Sequence, residues 1–316
     1  MLDFLARLQT IDRRWIYLFV AVACALPFYV NTEVKVYVFP ETQMFFDSVQ
    51  AVKTENDRIA ANNVKLAAQN KPTVREKVIL LDSPWGPGSL AENKGQDEAV
   101  FEHCLRERIP LIIMALDGDV NAPRYIDDII ENLQKRCPEL RDRKYGVDWV
   151  NLGITKTDWM AMMQMAKDFK KQLKQDSKGT STTDYEKLPI MKKIDNINDV
   201  GLLICINGWP NENYVPFIHQ QYGTKLAFGG CGMSSTYLYR FIPSGQICGF
   251  LVSTRAAAEY DTLIHRELLH DETTAIHANY GSKLIVPLAY GHLVIILAIV
   301  LGNIGYFATQ RKRRAG

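Results

Sequence analysis

An α/β fold held between two apolar segments is the class this sequence predicts, and three observations lead there. Short apolar runs alternate with helical stretches from residue 77 to residue 270. The runs are apolar at nearly every position, as expected of strands buried on both faces of a mostly parallel sheet. An uncharged stretch lies towards each end of the chain, at 15–30 and at 284–307. Together they predict a doubly wound, mostly parallel sheet, Rossmann-like or flavodoxin-like, between two transmembrane helices.

The first stretch, WIYLFVAVACALPFYV, has sixteen residues without a charge. A crossing helix needs roughly 20 apolar residues. Val34, Val36, Tyr37, Val38 and Phe39 can extend it, so 15–38 is expected to be the first span, after a cytoplasmic 1–14. A buried core helix and a cleaved signal peptide are the rival readings. Ala23-Cys24-Ala25 resembles a small-residue cleavage site, but an uncleaved anchor is expected. The second stretch has twenty-four uncharged residues and meets the length requirement by itself, giving a span at 284–308 and a basic tail at 309–316. Pro27 and Pro287 would break or kink a soluble helix, whereas a spanning helix tolerates them better.

Charge orients both spans. Arg7, Arg13 and Arg14 precede the first, and Arg311, Lys312, Arg313 and Arg314 follow the second. Basic flanks mark cytoplasmic ends, so both termini are expected inside and 39–283 on the periplasmic or extracellular side of an inner or plasma membrane.

Between the spans, 39–72 is expected to be a stalk helix with Phe45, Val49, Val52, Ile59 and Val64 on one stripe, ended by Lys71-Pro72. The α/β domain occupies 73–252. Its expected strands are 77–82, 110–116, 147–152, 200–207, 225–228 and 246–252. Its helices are 96–108, 123–136, 158–174 and 213–222, with a helical turn at 234–241 and a polar loop at 175–184. A connecting segment, 253–283, begins as a helix over 253–270.

Net charge is +2 and the basic tail alone supplies four positive charges, so the domain is near neutral to slightly acidic. That argues against nucleic acid as a partner. Besides Cys24 in the first span there are Cys104, Cys137, Cys205, Cys231 and Cys248. An odd number without a C-x-x-C pair argues against a disulfide framework and against a zinc site.

Open α/β sheets bind ligands at the carboxyl ends of their strands. Four such ends carry the candidate ligand-binding residues: Asp82, Ser83 and Trp85; Asp117 and Asp119; Asn207 and Trp209; and Gly230, Gly232 and Ser234. The last loop has glycines and hydroxyls that suit an anion, or simply a tight strand-to-helix turn. It lacks the lysine of a P-loop and the spacing of a dinucleotide fingerprint, so no cofactor is expected. Asp82, Asp117 and Asp119 are a candidate metal set or helix caps, with caps the commoner use, and no metal is expected. Cys231 and the scattered histidines have no signature of a nucleophile and its base, so no catalytic residue is assigned. Trp85 and Trp209 suit either stacking on a ligand or a docking surface. Met160 and Met163, in a methionine-rich helix, and Gly291 and Gly302, in the second span, are candidate interface residues.

Three stretches, YGVDWVNLGITK (145–156), DYEKLPIMKKIDNINDVGLLICIN (184–207) and SGQICGFLVSTRAAAEYDTLI (244–264), resemble an uncharacterised family of membrane-anchored α/β proteins of bacteria and archaea. The resemblance implies the fold and the flanking spans and no particular reaction; Gly229 to Gly232 fall outside its pattern. The expected function is a structural or scaffolding subunit of a membrane complex, partnered by the bilayer and by other subunits or copies of itself. A small-molecule sensor and a hydrolase acting outside the cytoplasm are the alternatives.

Overall fold

A strand covered on both faces must be apolar at successive positions, and the strands of this chain are covered twice. In a computed structural model, which describes residues 12–30, 36–156, 159–271 and 279–315, six strands form one sheet. They are β1 (Val78–Asp82), β2 (Leu111–Leu116), β3 (Trp149–Thr155), β4 (Val200–Asn207), β5 (Leu226–Gly230) and β6 (Phe250–Val252). The order is β3-β2-β1-β4-β5-β6 and every pairing is parallel. Leu80 sits between Ile112 and Leu203 in register. The order reverses between β1 and β4, which is the Rossmann-like arrangement of the two expected.

The longer helices among the described residues are α1 (Arg13–Ala25), α2 (Pro40–Ala68), α3 (Leu90–Arg106), α4 (Ala122–Arg136), α5 (Trp159–Lys167), α6 (Ser253–Leu263) and α7 (Tyr280–Ala315). The chain divides into two compact units, one of Val36–Ser282 and one of the segments on either side. In the first, Ile79, Leu81, Ile113 and Ile204 face one way, into a core with Phe45 and Val49 of α2, Phe101 of α3, Ile129 of α4 and Tyr260 of α6. Leu80, Ile112, Leu203 and Cys205 face the other way, onto Met162 and Met165 of α5, Phe169, Ile190, Tyr214 and Ile218. Long helices cover the first face. The second is covered by α5 and by short turns, among them a 3-10 turn at Pro189–Lys193 and a π-wound turn at Val215–His219.

Several expected elements change on folding. The stalk helix is not free: Glu259 of α6 accepts the Phe39 N–H (3.1 Å) and the Thr42 hydroxyl (2.6 Å), fixing the start of α2 within the domain. Its buried stripe ends at Ile59 and leaves Val64 exposed. The stretch 158–174 is two helices, because the Asp168 carboxylate accepts the Lys171 N–H and caps a second helix, Phe169–Gln172. The sixth strand shortens to three residues. Gly249, just before it, lies against the backbone of Phe45, where an added Cβ would come within 2.3 Å of the Phe45 Cα.

The apolar ends form the second unit. Only α7, over Tyr280–Arg311, is long and apolar enough to cross a membrane among the described residues. The expected continuous helix 15–38 does not form. The first helix ends at Ala25, a 3-10 turn with Pro27 follows at Leu26–Phe28, and 36–39 is not helical. Val34, part of the expected extension, lies outside the described residues. Pro27 has no N–H to donate to the preceding turn, which accounts for the stop.

Candidate functional site

The reversal of strand order leaves the carboxyl ends of β1 and β4 side by side, where this fold usually opens a crevice. Here that rim is drawn inward. Asp82, the last residue of β1, is buried. One of its oxygens accepts the Leu116 N–H (2.9 Å), and the other accepts the Tyr214 hydroxyl (2.9 Å) and the Cys205 thiol (3.5 Å). Burial pushes its carboxyl up to about 7.

Ser83 and Trp85 turn to the opposite face and meet Asp97, a buried residue of α3. Asp97 Oδ2 accepts the Ser83 hydroxyl and the Trp85 indole N–H (2.5 Å). Its Oδ1 is buried without a donor among the described residues, and burial pushes this carboxyl to about 7 as well. The Trp85 ring stacks on Tyr125 at 5.1 Å, so it packs beneath the loop and is closed to a ligand. One residue earlier, the Gln96 amide donates to the carbonyls of Gly230 (3.1 Å), Leu251 (3.3 Å) and Ser253 (3.0 Å), tying the ends of β5 and β6 to α3.

The three aspartates do not converge. Asp119 lies over Gly86 and accepts the backbone N–H (2.8 Å) and side-chain amide (3.0 Å) of Asn121. Asp117 is exposed, with φ +50°. Among the described residues no group of three or more His, Cys, Asp and Glu is placed to hold a metal ion.

The glycine loop after β5 is occupied by the protein itself. Glu92, from the first turn of α3, accepts the Gly232 N–H at 3.0 Å. Ser234 and Ser235 donate their hydroxyls to the carbonyls of Cys231 (2.9 Å) and Gly232 (2.6 Å). An anion placed here would meet a carboxylate already bonded to the loop. Gly230 is packed against Ser234 and Pro210. Burial, with the Glu92 carboxylate beside it, pushes the Cys231 thiol up to about 12, so it is protonated at neutral pH. Asn207 closes on its own loop, accepting the Gly208 N–H (2.8 Å) and donating to the Trp209 carbonyl (3.3 Å).

The same loops instead point large apolar groups at solvent. Val120 after β2 is 82 % exposed, Trp159 and Met160 after β3 are 53 % and 55 %, Trp209 after β4 is 60 %, and Met233 after β5 is 78 %. Two of these are braced: Trp209 stacks on Tyr237 (4.6 Å between centroids) and Trp159 on Phe217 (5.9 Å). Of the methionine-rich helix, Met162 and Met165 are core, Met163 is half-buried and Met160 belongs to this rim. Concavities include a cleft of about 390 Å³ at the amino end of the sheet between Val52, Lys77 and Lys225, and one of about 570 Å³ beside the carboxyl end of β3, lined by Pro123, Gly153, Thr155 and Ser177.

A second cluster escaped the sequence reading. Glu98 and Glu102 of α3 pair with Arg136 of α4, and Glu102 also with Arg106. Glu98 Oε2 accepts the Tyr280 N–H (2.9 Å), and Asp261 of α6 accepts the Ser282 hydroxyl (2.6 Å) and the Asn279 N–H (3.3 Å). Asn279 donates to the Gly95 carbonyl (3.3 Å). Gly281 lies so close to Gly95 and Ala257 that a Cβ on it would come within 2.4 Å of the Ala257 methyl. Asn279–Ser282, the last residues of the first unit, are thus built into its core. Burial pushes Asp261 up to about 8.

No known protein family, no curated protein and no solved structure matches this chain.

Proposed function

We propose that the chain is a membrane-anchored scaffolding subunit whose α/β domain docks a partner protein through the apolar rim at the carboxyl end of its sheet. The observation that carries this reading is the rim itself: the loops after β2, β4 and β5 and the start of α5 after β3 each present a large exposed hydrophobic, and Trp159 and Trp209 are each braced by an aromatic neighbour. Aromatic anchors dominate binding energy where they occur at interfaces.

Anchoring is supported by the apolar ends. α1 has no buried residue and exposes Trp15, Leu18, Phe19 and Val22, while α7 exposes Leu293, Ile296, Ile299 and Val300. A helix apolar on all sides calls for a hydrocarbon surrounding. In this reading both ends enter the bilayer with Arg13, Arg14 and the 311–314 run on the cytoplasmic side and the domain outside.

The test is gentle detergent extraction from the native membrane, followed by cross-linking and mass measurement. Recovery in a complex that is lost in Trp159→Ala/Trp209→Ala supports the scaffold. A monomer with no cross-linked partner overturns it.

A further inference from the structure

The unit formed by the two ends holds a groove that the scaffold reading does not use. α1 and α7 touch where Gly291 meets Cys24; a Cβ on Gly291 would lie 2.8 Å from the Cys24 sulfur. Beside this contact runs an apolar groove of about 560 Å³, lined by Phe19 and Val22 from α1, by Leu26 just after it, and by Val294, Leu297 and Leu301 from α7. Gly302 belongs to its wall and has nothing within 4 Å of its Cβ position, so space there is open.

Two features select the occupant. The first is length. From Ile16 to Leu26, both in the lining, α1 advances roughly 15 Å at 1.5 Å per residue. That is about one leaflet of a hydrocarbon core of roughly 30 Å. The second is charge. Cys24 near the end of α1 meets Gly291 early in α7; Arg13 and Arg14 stand just before Ile16, the first lining residue of α1, and Arg311 follows Leu301 and Gly302, the last lining residues of α7. Asp12, which accepts the Arg14 N–H at 2.9 Å, is the one acidic side chain described on this flank. Basic pockets between membrane helices recruit anionic headgroups.

We infer that this groove is a binding site for one anionic phospholipid, its acyl tail between α1 and α7 and its phosphate at Arg13 and Arg14. The inference rests on the membrane-anchored reading above. A tail here fills space that would otherwise be empty, and the arginines favour an anionic headgroup over a zwitterionic one.

The full chain, purified in mild detergent and exchanged into nanodiscs of equal phosphatidylglycerol and phosphatidylcholine, is read by native mass spectrometry. The expected result is one retained phosphatidylglycerol, favoured several-fold over phosphatidylcholine. Arg13→Gln/Arg14→Gln should bring the two lipids to parity. Gly302→Leu, which fills the groove, should reduce retention of both, with helical circular dichroism confirming that each variant is folded. Equal retention by the unmodified chain, or a lipid-free dimer in which a second copy fills the groove, overturns the site. A high-pH carbonate wash separates the two levels. Release from native membranes overturns the anchor itself, whereas a chain that stays embedded without lipid preference overturns only the lipid site.

Discussion

The Glu98 carboxylate accepts the backbone N–H of Tyr280 at 2.9 Å across 182 residues of sequence, joining the first helix after β1 to the first turn of α7. The other oxygen of Glu98 pairs with Arg136. Glu98→Ala would leave the Tyr280 N–H without its acceptor and Arg136 with Glu102 alone, and a buried donor left unmatched in this way costs roughly 1–3 kcal/mol. Glu98→Gln keeps an acceptor and should cost less. Hydrogen exchange at residues 279–282 reports the difference: protection falls in Glu98→Ala and is largely retained in Glu98→Gln.

Asp97 makes stability depend on pH. Its folded carboxyl, at about 7, lies above the ordinary 3.8, so its contribution is complete below about 4 and is lost as pH rises through 7. The slope from such a group approaches about 1.4 kcal/mol per pH unit between the two values. Asp82 and Asp261 add slope of the same sign. Asparagine at 97 can accept from Ser83 and Trp85 through its carbonyl and place its amide where Oδ1 now lacks a donor. Asp97→Asn should therefore flatten the decline in melting temperature between pH 5 and pH 8.5 and stabilise the protein at the alkaline end.

Gly249→Ala tests the closeness of α2 to the sheet. Its methyl would enter the Phe45 backbone, and overpacking of this kind costs about 1–3 kcal/mol. Urea titration of the variant should show a lower midpoint with an unchanged slope.

Trp209→Ala separates docking from folding. The ring is mostly exposed and contacts Tyr237, so the change in unfolding free energy should stay near 0.5 kcal/mol, as is typical of surface positions (~±0.5 kcal/mol). Retention of a cross-linked partner should drop at least tenfold. A large loss of stability with retained partner would assign the tryptophan to the fold.

The sheet was largely readable from sequence because a strand buried on both faces writes its burial into consecutive residues, as VILLD and LIIMAL do. The exceptions have local causes. β3 runs on to Thr155, past a Gly153 at φ +73° that reads as a break. The main miss is α3, expected from residue 96 and found from Leu90. Its Asn93, Gln96, Asp97, Glu98 and Glu102 resemble a solvated face, yet all are buried, because their partners Gly230, Trp85, Arg136 and Tyr280 come from distant parts of the chain. Strand-end positions of the candidate residues were legible. Their orientation was not, since Trp85 and Trp209 both follow a strand end closely, and it is the Asp97 acceptor and the Tyr125 ring that hold Trp85 inward.

The seam between α2 and α6, where Thr42 meets Glu259 across 217 residues, carries a consequence for biogenesis. The pieces that close this core are among the first and the last of the domain to leave the ribosome. Until α6 is made, Phe45, Phe46 and Val49 on α2 have lost their final cover, and β1 waits for β4 through the whole stretch that builds β2 and β3. Long-range parallel pairing of this kind is slow and exposes apolar surface while it proceeds. A chain cut before Leu263 keeps that surface open, so shortened products should be cleared by proteases and not accumulate as a smaller folded form.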